Sequence, residues 1–118
     1  MTDYKFGDIV LVPFPFTDQT TAKKRPAVVV SSSAYNQNRP DIVIMAVTSQ
    51  SHGSGYFGDL RIQNWQQAGL LKPSVIKPIL TTVEKGLVIK KLGSIVDNDR
   101  TALSEGLQII LGDQSPAE

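Results

Sequence analysis

Three short runs of consecutive apolar residues constrain the fold of this chain more than any other feature. They are Ile9-Val10-Leu11-Val12, Ala27-Val28-Val29-Val30 and Ile42-Val43-Ile44-Met45-Ala46-Val47. Each is rich in β-branched residues and bounded by turn residues. Gly7-Asp8 opens the first and Pro13 closes it, and Ser31-Ser32-Ser33 ends the second, so all three read as strands. Because apolar residues fill consecutive rather than alternate positions, both faces of these strands are expected to be covered, as in a small barrel or in strands overlain by helices. No adequate helix separates them, which argues against a parallel βαβ arrangement. A compact, strongly bent antiparallel sheet or small barrel is what remains.

Asp59-Leu60-Arg61-Ile62 alternates and predicts a strand with one wet face. Ser74-Val75-Ile76 and Leu80-Thr81-Thr82-Val83 flank Pro78, whose missing N–H marks a sheet edge or a bulge. Leu87-Val88-Ile89 reads as a further strand after a Lys85-Gly86 turn. Two short helical pieces are expected, Ser33–Gln37 and Asn64–Ala68, the second capped by Asn64. The clearest helix runs from about Asn98 to Leu111, with Leu103, Leu107, Ile110 and Leu111 on one stripe. Asp97 or Asn98 caps its start and Gly112 ends it. Gly106 in its interior costs roughly 1 kcal/mol against alanine. The expectation is a mainly β fold with minor α: a single domain over residues 1–112 and a frayed tail at 113–118.

At 118 residues the chain can bury a core without covalent staples. It has no cysteine and one histidine, His52, which excludes disulfides, thiolate metal sites and a histidine-based zinc site within one chain. No cofactor is expected, and no metal site is legible. The N-terminus lacks the layout of a secretory signal, and no apolar run approaches the roughly 20 residues of a membrane helix, so a cytoplasmic protein without a membrane partner is the default. Net charge is only +1. Any attraction to nucleic acid must then come from a local patch.

One such patch is present. Lys23-Lys24-Arg25-Pro26 falls between the first two apolar runs, where a connecting loop is expected. Proline restricts the residue before it to extended conformations, so the Arg25 guanidinium is aimed, and its planar fork matches a phosphate. An ordinary surface arginine is the competing reading. Thr48-Ser49-Gln50-Ser51 follows the third run. Its hydroxyl and amide groups suit phosphate oxygens or base edges, or else form a plain polar turn. His52 lies in a Gly-Ser stretch that holds a side chain poorly, and it reads as a loop residue rather than a general base. Lys72, Lys77, Lys85, Lys90 and Lys91 read as solvated surface, with further positive charge as the alternative role. Phe14, Phe16, Tyr56, Phe57 and Trp65 either stack on unpaired bases or belong to core and interface. No carboxylate pair and no Ser/His/Asp set is legible.

Three segments together resemble the MazF/PemK family of toxins from bacterial toxin–antitoxin pairs. They are Gly7-Asp8-Ile9-Val10-Leu11-Val12 leading into Lys24-Arg25-Pro26-Ala27-Val28-Val29-Val30; Ala46-Val47-Thr48-Ser49-Gln50; and Ser74-Val75-Ile76 with Thr82-Val83-Glu84-Lys85 and the terminal helix Ala102–Leu111. The resemblance covers nearly the whole chain in the family's order. It implies an SH3-like small antiparallel barrel of the MazF/CcdB type with a C-terminal helix, working as a homodimer. It further implies metal-independent cleavage of single-stranded RNA at short preferred sequences, inhibited by a cognate antitoxin.

The family's catalytic arginine falls on Arg25 and its threonine on Thr48. Ser49, Gln50 and Ser74 fall on segments that line the family's RNA groove, and Phe16, Lys23, Lys24 and Lys72 are further candidates for contact with RNA. The chain departs from the family at Thr17-Asp18-Gln19-Thr20-Thr21, where Gly-Ser-Glu is frequent, and at Leu80-Thr81, where an arginine often precedes the threonine. Two rival functions share this fold: a gyrase poison similar to CcdB, and a barrel that binds RNA without cutting it.

Overall fold

The computed structural model describes residues 3–14, 23–49 and 55–112. Six strands form one antiparallel sheet: β1 (Asp8–Phe14), β2 (Lys23–Val29), β3 (Asp41–Ser49), β4 (Leu60–Arg61), β5 (Ser74–Glu84) and β6 (Lys90–Ser94). Their order across the sheet is β4-β5-β3-β2-β1-β6. Helix α1 (Ser33–Asn38) links β2 to β3, and α2 (Asp97–Ile110) closes the chain. Among the described residues no helix is long and apolar enough to cross a membrane.

The covered faces inferred from the apolar runs are present, and parity along each strand sorts them. Ile9, Val28, Met45, Val47 and Ile76 point into a cluster that α2 completes with Leu103. Val10, Val12, Ala27, Val29, Ile42, Ile44 and Ala46 point the other way, against Tyr4, Val83 and Val88. Every residue of β2 from Ala27 to Val29 is fully buried. A sheet that is apolar on both sides must curl and be covered on both, which is why these runs do not alternate.

Several boundaries differ from the sequence reading. β1 runs on through Pro13 to Phe14, and β2 begins at Lys23, so Lys23–Pro26 is strand rather than loop and pairs with β1 as Phe14↔Lys23 through Leu11↔Pro26. A proline is tolerated there because of which way the ladder faces. The Leu11 carbonyl accepts from the Ile89 N–H on the β6 side, so Leu11 and Pro26 exchange no hydrogen bond. Thr48 and Ser49 likewise belong to β3, paired with Val75 and Ser74.

The two pieces around Pro78 are one strand, β5. Its register slips between Met45↔Leu80 and Val47↔Ile76, and this is the bulge that Pro78 signals. Leu87-Val88-Ile89 is not a strand: Lys85–Leu87 is a single 3-10 turn, and the pairing begins only at Lys90. Residues 64–68 form successive turns instead of a helix, since the Ala68 N–H divides between the Asn64 and Trp65 carbonyls, both at 3.2 Å. α1 stands as expected, with the Ser32 hydroxyl accepting from the Tyr35 N–H.

α2 starts after Val96 with no side-chain cap, so neither Asp97 nor Asn98 plays that part. Asp99 is turned away instead, buried, and accepts from the Gln63 and Asn64 N–H groups at 3.0 and 2.9 Å. The helix ends at Leu111 in extended backbone rather than at a left-handed Gly112. Of the predicted stripe, Leu103, Leu107 and Ile110 reach the core while Leu111 is exposed.

Two details position the groove described below. Asp8 is buried, with Ser94 donating to Oδ1 at 2.7 Å, and the Lys5 N–H (2.9 Å) and Lys91 Nζ (3.2 Å) both reaching Oδ2. It ties β1 to β6 while Gly7, at φ +94°, turns the chain into the strand. Across the molecule, Gly69 and Gly93 bring two backbones into contact. A methyl on Gly69 would collide with the Leu92 carbonyl, and one on Gly93 with the Ala68 carbonyl. The segment joining β4 to β5 is thereby pressed onto β6, the opposite end of the sheet, and the curled sheet closes on itself.

Candidate active-site groove

β2 pairs with β3 over three residues only: Val29↔Ile44, Val28↔Met45 and Ala27↔Ala46. Beyond Ala27 the strands part, β2 staying with β1 and β3 with β5. Continued at the same register, Pro26 would face Val47 and Arg25 would face Thr48. Those two residues therefore stand on opposite banks of a split in the sheet. Two remote stretches of sequence meet because one ladder stops.

The split opens into a groove of about 610 Å³. Leu11, Pro26, Val47, Leu70 and Leu92 give it an apolar floor, while Lys23, Lys24, Arg25, Thr48, Ser49, Lys72, Ser74 and Lys90 also border it. The row Lys90–Leu11–Pro26 runs straight across three strands, each neighbour paired in register. The Gly69–Leu92 backbone contact walls off one end.

Arg25 and Thr48 are half-buried, Lys23, Lys24, Ser49 and Lys72 are exposed, and Ser74 is buried. The Ser74 hydroxyl donates to the Lys72 carbonyl at 2.8 Å, fixing the turn that presents Lys72. Seven of the nine site residues expected from the sequence thus gather in one place. Phe16 and Gln50 lie outside the described residues, as do His52 and the tail 113–118.

Five of the chain's 12 lysines and arginines border this groove, and among the described residues no carboxylate does. A chain of near-zero net charge therefore has a concentrated positive field at one site. The lysines first read as solvated surface divide accordingly. Lys77 is held by Asp59 at 2.7 Å and lies over the Tyr56 ring, Lys91 is held by Asp8, and Lys85 donates to the Asn36 carbonyl. Lys72 and Lys90 face the groove. Burial alone would raise the Asp59 carboxyl, but the Lys77 ammonium and the Tyr56 N–H outweigh it and hold the group below its ordinary value.

Lys90, Leu11 and Leu92 are groove residues that sequence reasoning did not assign. With the strand expected at Leu87–Ile89 instead of Lys90–Ser94, the pairing that sets Lys90 beside Leu11 was hidden. Of the aromatic candidates, Trp65 packs against the core, and Tyr56 and Phe57 are exposed away from the groove. Among the described residues no three Asp, Glu or His side chains converge as ligands for a metal ion.

The arrangement is suited to a polyanion. Cationic residues rim an apolar floor, and Arg25 and Thr48 border the split from different strands. Similarity to known proteins agrees with that reading of the fold. Residues 5–111 match the sequence profile of the PemK-like, MazF-like toxins of type II toxin–antitoxin systems. No curated protein sequence gives a significant match.

Solved structures align over nearly the full chain. A mycobacterial endoribonuclease solved with its cognate antitoxin has TM-score 0.74 at 17% identity, covering 98% of this chain and 100% of that one. MazF from Deinococcus radiodurans has TM-score 0.74 at 19% identity, covering 96% and 100%. The Mycobacterium tuberculosis toxin MazF-mt6 has TM-score 0.70 at 16% identity, covering 86% and 93%. At these identities the structural likeness establishes the fold: a mostly β, six-stranded curled antiparallel sheet with a C-terminal helix.

Proposed function

This chain belongs to the family of PemK-like, MazF-like toxins of type II toxin–antitoxin systems, and from that premise we propose that it is an endoribonuclease cutting single-stranded RNA at short preferred sequences. The observation that carries the reading is the groove, where five cations and, among the described residues, no carboxylate surround the Arg25–Thr48 split. Members of the family are generally endoribonucleases held in check by cognate antitoxins. By the same reading this chain acts in the cytoplasm as a homodimer, and an antitoxin segment competes with RNA for the groove.

The chemistry uses the RNA as its own nucleophile. The ribose 2′-oxygen attacks the adjacent phosphorus as its proton leaves. The O2′–P bond forms, the P–O5′ bond breaks, and the departing 5′-oxygen takes up a proton. The products are a 2′,3′-cyclic phosphate and a 5′-hydroxyl. The protein's tasks are to align the backbone for in-line attack and to hold charge on the phosphorane. The Arg25 guanidinium offers two parallel donors to the non-bridging oxygens. Thr48 donates a third hydrogen bond from the opposite bank. Lys23, Lys24 and Lys72 hold flanking phosphates, and Ser49 lies where base edges pass. Since the guanidinium supplies the charge stabilisation, the step requires no metal ion.

The test is a labelled single-stranded RNA and the DNA of the same sequence, each incubated with purified protein in excess EDTA. Cleavage of RNA alone, giving cyclic-phosphate ends, is expected. Cutting of the DNA would overturn the 2′-hydroxyl route, and loss of cutting in EDTA would overturn metal independence. RNA retained on a filter but never shortened would mean a binding barrel without catalysis.

A further inference from the structure

Adjacent lysines on a strand point to opposite faces, and here the two faces give them different fates. Lys91 reaches the buried Asp8 carboxylate at 3.2 Å and serves the fold. Lys90 lines the groove, and among the described residues no carboxylate borders it. Its register fixes its place: Lys90 pairs with Leu11, and Leu11 pairs on its other side with Pro26, next to Arg25. Two strand spacings, roughly 10 Å, separate the Lys90 and Pro26 backbones. Among the described residues the apolar side chain of Leu11 lies between them, with Leu92 beyond Lys90 on the same face.

From this arrangement we propose that Lys90 is a positioning residue that grips the RNA backbone at a phosphate other than the one cut, on the far side of β1 from Arg25. Leu11 and Leu92 form the apolar floor beneath the nucleotide so held. The proposal rests on the endoribonuclease reading and deepens it, because it sets the direction in which the strand leaves the split. RNA entering between Arg25 and Thr48 passes over Leu11 toward β6, until the Gly69–Leu92 contact stops it. A strand so guided has a fixed polarity at the cleavage point, which in-line attack requires.

Each phosphate contact on a single strand adds about 0.7 to the steepness with which log affinity falls against log salt. The test therefore measures binding of an uncleavable 2′-O-methyl RNA oligonucleotide across a salt series, together with cleavage of ordinary RNA. K90Q is expected to lower the slope by about 0.7 and to raise KM about 5- to 10-fold, with kcat within about 2-fold of the parent protein. K90R should restore the slope.

K5Q, which removes an exposed lysine outside the groove, should leave the slope alone. An equal loss in K5Q would reduce the effect to net charge and overturn the proposal. An unchanged slope in K90Q, with the parent protein binding and cutting RNA, would overturn the proposal alone. A fall in kcat with KM unchanged would also overturn it, moving Lys90 into the chemical step. A parent protein that neither binds nor cuts RNA would remove the endoribonuclease reading and this proposal with it.

Discussion

The two halves of β2 form one continuous strand and differ in almost everything else. Ala27–Val29 is paired on both sides and fully buried, each residue committed to one core face or the other. Lys23–Pro26 is paired on one side only and carries three of the groove's five cations. A ladder satisfied on both edges leaves no room for a ligand. A ladder satisfied on one edge keeps the backbone rigid while opening a cleft beside it. The comparison shows how a strand aims a guanidinium without a loop: the neighbouring half anchors it.

The contrast can be broken most sharply at Arg25. Arg25→Ala should lower the RNA cleavage rate by about 1000-fold, roughly 4 kcal/mol of transition-state stabilisation, while the urea midpoint barely moves. An Arg25→Ala protein that cuts at the parent rate would end the catalytic assignment. The next largest effect concerns closure. Gly93→Ala sets a methyl against the Ala68 carbonyl and should destabilise the fold by about 3 kcal/mol, read from urea unfolding. A midpoint equal to the parent's would mean that this contact does not hold the sheet closed.

The buried half of β2 should respond in the opposite way to Arg25. Val28→Ala is expected to cost about 2 kcal/mol of stability with an unchanged cleavage rate per folded molecule. If cleavage fell with stability intact, the division between the halves would be false.

The smallest effect contrasts groove lysines with a lysine that has a carboxylate. Asp59 is held below its ordinary value, so the unfolded chain takes up the proton first as pH falls. The stability this group contributes is complete above the ordinary aspartate value, about pH 4, and is lost as pH drops through the lower folded value. Asp59→Asn should flatten the acid limb of the stability curve. The change should be slight, because the Lys77 side chain is 30% exposed. An acid limb identical to the parent's would show that the Asp59–Lys77 pair contributes nothing.

The sequence made part of this legible for definable reasons. Consecutive apolar residues announce a sheet covered on both faces, and three such runs set the middle of it. Pro78 announced its bulge, since a missing N–H has few places to go. What stayed hidden depended on pairing. Lys23–Pro26 looked like a loop because three cations and a proline carry no strand pattern, yet Val12, Leu11 and Pro13 across the ladder hold them extended. Lys90 looked like one more solvated lysine, and only the register to Leu11 turns it toward the groove. The sequence reading assigned Asp99 no part, and only tertiary structure shows it accepting from the Gln63 and Asn64 N–H groups. Arg25 and Thr48 came together through family resemblance, because the end of a ladder leaves no mark on composition.

The paired glycines also bear on how such a groove can diversify. One end is built from backbone at Gly69, Leu92 and Gly93, and no side chain fits at either glycine without moving the other strand. That wall has a fixed shape, and substitution cannot tune it. Lys23, Lys24, Leu71 and Lys72, which also border the groove, are exposed side chains that bear little of the fold's weight. A scaffold of this kind separates a hard stop from an editable lip. On the proposed reading, changes at the lip will tune how tightly an RNA backbone is held, and a screen for altered binding should randomise those four positions and leave the glycines alone.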